Sequence, residues 1–155
     1  MKILIADELP QDKIQVLREK GYECIVEPDL KAEQIPERIT GIEILVVRST
    51  KVISEVFDKS DSLGLVVRSG AGINTIDCQG AADSGIYVCN VPGTNSIAVA
   101  ELTMGLILAI DRHIPSATSD LKENRWNKKI YSDAEGLFGK TLGIVGLGEI
   151  GLAVA

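Results

Sequence analysis

Five apolar runs of strand length recur through the first 92 residues, each followed by a helical pattern, and this alternation limits the chain to very few folds. "KILIAD" (2–7), "YECIVEP" (22–28), "IEILVVRS" (42–49), "LGLVVRSG" (63–70) and "IYVCNVP" (86–92) are the runs. Between them lie "PQDKIQVLREKG" (10–21), a short Pro-interrupted helix "KAEQIPERI" (31–39), "ISEVFDKS" (53–60) and "INTIDCQGAADSG" (73–85). Pro10 suits a first helical turn and Gly21 a C-terminal stop. Strands this continuously apolar are expected to be buried on both faces, as parallel strands covered by helices are. The pattern predicts an α/β fold: a flavodoxin-like, doubly wound parallel sheet. Ligands of such sheets collect beyond the carboxyl ends of the strands. The residues there are Arg48-Ser49, Arg68-Ser69-Gly70 and Asn90-Val91-Pro92.

A different pattern begins near residue 93, where Pro92-Gly93 punctuates the chain. Asn95 or Ser96 can cap a long helix through "IAVAELTMGLILAI" (97–110), apolar almost all round and therefore expected to be buried between layers or subunits. It is too short to span a bilayer and contains Glu101, so no membrane role is expected. The polar stretch 116–140 reads as an arm in which Trp126 and Tyr131 stand isolated. It leads to "TLGIVGL" (141–147), an apolar run of strand length that enters a G-x-G-x-x-G. In that motif Gly146 permits a tight turn, Gly148 lets backbone approach a pyrophosphate, and Gly151 lets the new helix pack closely. The acidic partner expected about 20 residues further on for the ribose hydroxyls lies beyond Ala155.

A net charge of −6 and an isoelectric point near 4.8 disfavour nucleic-acid binding, so an anionic ligand needs locally placed cations. Cys24, Cys78 and Cys89 are odd in number and lack C-x-x-C spacing. Cys24 and Cys89 are expected to be small buried strand residues, and the usage suggests a reducing, cytoplasmic setting without a metal site.

Five stretches together resemble the D-isomer-specific 2-hydroxyacid dehydrogenases, in particular the branch acting on 3-phosphoglycerate. They are "VVRSTKVISEVFD", "LGLVVRSGAGINTID", "NVPGTNSIAVAELTMGLILAIDRHIP", "LKENRWNKK" and "GKTLGIVGLGEIG", which cover the chain almost end to end. The resemblance implies a substrate domain, 1–92, followed in 93–155 by a linker helix, an arm and the opening strand and glycine loop of an NAD-binding Rossmann domain. It implies that Arg48 and Ser49 meet the anionic end of a small 2-hydroxy acid and that Arg68 lies around its phosphate. Gly70, Ala71 and Gly72 match a loop whose N–H groups hold the substrate carboxylate and whose far end touches the cofactor, Ala71 standing where many relatives carry threonine. Asn95 matches a polar substrate-site residue, and Lys128 a cation that reaches a neighbouring subunit's substrate. Gly146, Gly148, Glu149, Ile150 and Gly151 match the NAD loop, with Glu149 where Arg, His or Asn is common.

The resemblance further implies reversible NAD-linked oxidation of 3-phosphoglycerate to 3-phosphohydroxypyruvate, the first step of serine synthesis, by a homodimer or higher homo-oligomer. The family's catalytic His, Glu and further Arg come later in the chain than these motifs, so no catalytic residue is expected within residues 1–155, and the chain alone is expected to be inactive. His113, the only histidine, reads as a helix-terminal residue before Pro115. Two alternatives stay open: a glyoxylate/hydroxypyruvate reductase or another D-2-hydroxyacid dehydrogenase, and a non-catalytic dinucleotide-sensing member of the same family. A receiver-type signalling module is excluded, because Arg48-Ser49 occupies the strand end where that module needs a phosphorylatable Asp.

Overall fold

The computed structural model describes residues 1–155, which divide into two compact units, Met1–Thr94 and Asn95–Ala155. The first unit alternates strictly. Strand β1 (Lys2–Ile5) leads to α1 (Gln11–Glu19), β2 (Glu23–Val26), a 3-10 turn at Ala32–Gln34 and α2 (Ile35–Arg38). Then come β3 (Ile44–Val47), α3 (Ser54–Asp58), β4 (Leu65–Arg68), α4 (Cys78–Asp83) and β5 (Tyr87–Cys89). The strands form one parallel sheet in the order β2-β1-β3-β4-β5, as the flavodoxin-like reading expects.

Each element is cut shorter than its apolar run, because turn chemistry claims the ends. Gly21 (φ +86°), Gly41 (φ +70°) and Gly85 (φ +70°) close turns in the left-handed region that residues with a Cβ avoid. Asp77 caps α4 by accepting the Gly80 N–H at 3.0 Å. Pro36 sits in the first turn of α2, so the proline that interrupts the pattern starts a helix instead of ending one.

Alternate residues of the strands feed two apolar clusters. Leu4, Leu45 and Val66 pack with Ile35, Ile39, Val56, Phe57 and Ala81 from α2, α3, α4 and their flanks. On the other face Ile3 and Ile5 pack with Ile14 and Leu17 of α1. Burial on both faces does not extend across the whole sheet. β5 is an edge strand with Tyr87 76% exposed. Cys89, expected in the core, is exposed for the same reason, and Cys24 on the opposite edge strand is half-buried.

The second unit contains α5 (Ser96–Asp111), α6 (Ile114–Lys122) and α7 (Glu149–Val154). Two expectations are corrected here, for the arm and for the strand at 141–147. The stretch 116–140 is not an arm throughout, since Pro115 opens α6 from its first turn. Within the unit α5 buries only Ser96 and Ala100, while Ile110 is 73% exposed. Residues 141–147 are not assigned to a strand, because no neighbouring backbone pairs with them; Val145 is fully exposed.

Leu45→Ala in the central strand should lower unfolding free energy by about 2–5 kcal/mol, whereas Tyr87→Ser on the edge should shift it by no more than about 0.5 kcal/mol. Chemical denaturation of the two variants measures both.

Candidate functional site

In the first unit the carboxyl ends of β1, β3 and β4 lie side by side. Val47 is in register with Arg68, which places Arg48 and Ser49 one step beyond the strand end and Arg68 beside them on β4. The turn after β3 is held by a residue that sequence reasoning passed over. Asp7, just past β1, accepts the N–H groups of Arg48 (2.8 Å), Ser49 (3.2 Å) and Thr50 (3.1 Å) through one oxygen, Oδ2. The signal was present: an acidic residue ending the first apolar run, at the sheet edge where ligands bind. The Arg48 side chain is exposed and forms no ion pair, so its guanidinium is free for a ligand.

Arg68 behaves differently. Its Nη1 donates to the Gly72 carbonyl at 2.7 Å, and its buried Nε has no partner. The guanidinium lies against the Gly70–Gly72 loop so closely that a Cβ on Gly70 would come 3.0 Å from Nη1, and one on Gly72 3.3 Å. All three loop carbonyls are engaged: Gly70 by the Val91 N–H (3.1 Å), Ala71 by the Asn90 amide (2.6 Å) and Gly72 by Arg68. The N–H groups of Ala71 and Gly72 donate to nothing in the protein. A loop with its acceptors tied down and its donors free is an anion-binding arrangement. Arg48, Ser49, Arg68, Gly70 and Ala71 are thus brought together at one sheet edge.

The other candidates lie in the second unit. Asn95 occupies the cap position of α5, accepting the Val99 N–H through its carbonyl (2.9 Å), not through its side chain. In the glycine loop, Gly146 adopts φ +95°, and a Cβ on Gly151 would overlap the Gly146 carbonyl oxygen. Around Gly148 there is open space, and it precedes α7 as a cap without a side-chain hydrogen bond. Ile150 is exposed on the first turn, and Glu149 turns its carboxylate to the Ser96 hydroxyl at 3.3 Å, leaving backbone to face outward.

Lys128 lines a cleft of about 330 Å³ with Trp126, Leu121 and Tyr131. Tyr131 is not isolated, as its sequence surroundings suggested. Its hydroxyl donates to Asp120 Oδ2 at 2.6 Å, beside the Asn127 amide at 2.7 Å, while Arg125 bonds Oδ1 at 2.7 Å. These donors, Tyr131 foremost, hold the Asp120 carboxyl at about 2, below its usual 3.8. His113 takes a left-handed conformation (φ +52°) between α5 and α6, and its Nε2 lies 3.1 Å from Asp133 Oδ1.

Residues 3–143 match the family model "D-isomer specific 2-hydroxyacid dehydrogenase, catalytic domain". The chain belongs to that family. It is 46% identical to a D-3-phosphoglycerate dehydrogenase of Methanocaldococcus jannaschii, over 99% of this chain and 29% of that protein. It is 40% identical to a hydroxypyruvate reductase of Thermotoga maritima, over 99% of this chain and 50% of that protein. Among solved structures, an NAD-dependent formate dehydrogenase from Staphylococcus aureus in complex with NAD superposes with a TM-score of 0.88 at 26% identity, covering 100% of this chain and 52% of that one. The chain thus spans between three-tenths and about half of the length of these family members. No helix in it is long and apolar enough to cross a membrane.

Because the folded Asp120 carboxyl is more acidic than 3.8, its contribution to stability is present above pH 3.8 and is lost as pH falls toward about 2. Tyr131→Phe removes its strongest donor and should return its midpoint toward 3.8; a carbon-detected NMR titration of the Asp120 side chain reads this directly.

Proposed function

We propose that this chain carries the substrate-anion wall and the opening cofactor elements of an NAD-dependent D-2-hydroxyacid dehydrogenase that oxidises 3-phosphoglycerate to 3-phosphohydroxypyruvate, a step of serine biosynthesis. On this reading residues 1–92 are the N-terminal segment of a substrate domain, and 93–155 are the linker helix, arm and first glycine loop of an NAD-binding domain. The observation that carries it is the free Arg48 guanidinium beside the open N–H groups of Ala71 and Gly72, two kinds of anion donor at one sheet edge. A substrate with a carboxylate at one end and a phosphate at the other suits two such donors.

The glycine loop fits a dinucleotide, since the open space at Gly148 and the close packing at Gly151 are what a pyrophosphate-binding turn requires. Gly146, Gly148, Glu149, Ile150 and Gly151 would hold NAD, largely through backbone, and Ala71 would touch its nicotinamide end without a hydroxyl. A bound nicotinamide supplies a hydride acceptor for the substrate's C2. The residues of this chain bind and orient: Arg48 and Ser49 take one anionic end, the Gly70–Gly72 loop the carboxylate, and Asn95 and Lys128 complete the substrate contacts, Lys128 across a subunit boundary.

The commitment of Arg68 Nη1 to the Gly72 carbonyl favours a second reading, a hydroxypyruvate reductase, in which one free guanidinium suffices. Steady-state kinetics of the complete enzyme separate the two. A phosphoglycerate dehydrogenase should prefer 3-phosphohydroxypyruvate to hydroxypyruvate, and Arg48→Ala should raise KM for the phosphorylated substrate about 10- to 100-fold. Equal use of both substrates with an unchanged KM in the variant overturns the phosphate assignment.

The apolar side chains that α5 exposes, among them Ile97, Leu102, Leu106 and Ile110, support assembly as a homodimer. Sedimentation of the complete enzyme at micromolar concentration should give at least a dimer; a clean monomer contradicts this.

A further inference from the structure

We infer that Asp7 is a positioning residue for substrate capture, acting through Arg48; this rests on the functional reading above. Three consecutive amides converge on the single oxygen Oδ2, at 2.8–3.2 Å, and the Thr50 hydroxyl closes the same turn onto the Ala6 carbonyl at 3.4 Å. A run of N–H groups aimed at one point is a ready anion site, and here the protein fills it with its own carboxylate.

Two consequences follow from that occupancy. The turn's backbone is withdrawn from substrate, so an incoming anion is met there only by the Arg48 guanidinium and the Ser49 hydroxyl. The direction of Arg48 is also set from below. Its side chain has no protein partner, and only the backbone pinned by Asp7 determines where its long, mobile chain starts. Without Asp7 the three amides lose their acceptor and the turn relaxes toward solvent, so Arg48 must be ordered by each substrate that binds.

A matched control exists in the same unit. Asp61 accepts the Gly41 N–H at 2.7 Å in the turn that precedes β3, at the opposite end of that strand from Arg48. Asp61→Ala removes a turn-capping carboxylate of the same chemistry without touching the candidate site.

The test uses the complete enzyme with 3-phosphohydroxypyruvate and NADH. Asp7→Ala should raise KM about tenfold, the loss expected for a charge-assisted contact, with a smaller change in kcat. Asp7→Asn, which keeps an acceptor oxygen, should restore most of that KM. Asp61→Ala should lower Tm and leave KM within about twofold. In an Arg48→Ala background, Asp7→Ala should change KM by less than about threefold, because residues acting through one contact are non-additive. Hydrogen exchange of the Arg48, Ser49 and Thr50 amides should accelerate in Asp7→Ala alone.

An unchanged KM in Asp7→Ala overturns the inference, as does a full Asp7 effect in the absence of Arg48, which marks a general loss of fold. A wild-type enzyme that neither binds nor turns over any 2-hydroxy acid overturns the functional reading, and this inference with it. A working enzyme with a normal Arg48→Ala defect and a silent Asp7 overturns the Asp7 role alone.

Discussion

Leu4, Leu45 and Val66 stand in one cross-strand row, flanked by Ile25 and Val88 on the outer strands, and α2, α3 and α4 close over them. Because side chains alternate along a strand, slipping any of these strands by one residue would turn its buried row outward. The register is therefore decided by the burial of a few aliphatic side chains. With the register set, the ends of β1, β3 and β4 are set too. Asp7, Arg48 and Arg68 arrive at one edge as a consequence of where Leu4, Leu45 and Val66 must go.

What happens at that edge is local polar chemistry on a rigid support. Asp7 consumes the amides after β3, and Arg68, Asn90 and the Val91 N–H consume the carbonyls of the Gly70–Gly72 loop. The donors left over are the Arg48 guanidinium, the Ser49 hydroxyl, the remaining N–H groups of Arg68 and the Ala71 and Gly72 amides. A surface whose acceptors are satisfied internally and whose donors remain free selects anions before any particular substrate is considered.

The second unit obeys different rules. α5 has too little polar surface to orient itself by amphipathicity, and α7 is tied to its start through Ser96 and Glu149. Gly151 packs against the Gly146 carbonyl, a contact only glycine can make. Asp120 gathers the donors of Tyr131, Asn127 and Arg125, which gives the polar segment after α6 an anchor that no apolar residue provides.

The order of strands and helices in the first unit was legible in the sequence, because period-two apolar runs and their turn residues report local backbone preference directly. So were the strand-end arginines and the glycine motif, which are defined by position along an element. Residues whose state depends on distant neighbours were not. Cys89 looks like any core strand residue until β5 proves to be an edge. Residues 141–147 have strand composition, but a strand exists only where another backbone pairs with it. Pro115 ends one helical pattern and equally well starts the next, and the segment that follows shows which. Arg68 ends its strand as Arg48 does, and only the structure shows that its Nη1 donates to the Gly72 carbonyl, while Asp7, at the end of the first apolar run, holds a turn 41 residues away at its nearest contact. In the first unit the sequence alone thus determined which elements form, and the tertiary structure decided which polar groups remain free, because a hydrogen bond between remote residues leaves no periodicity to read.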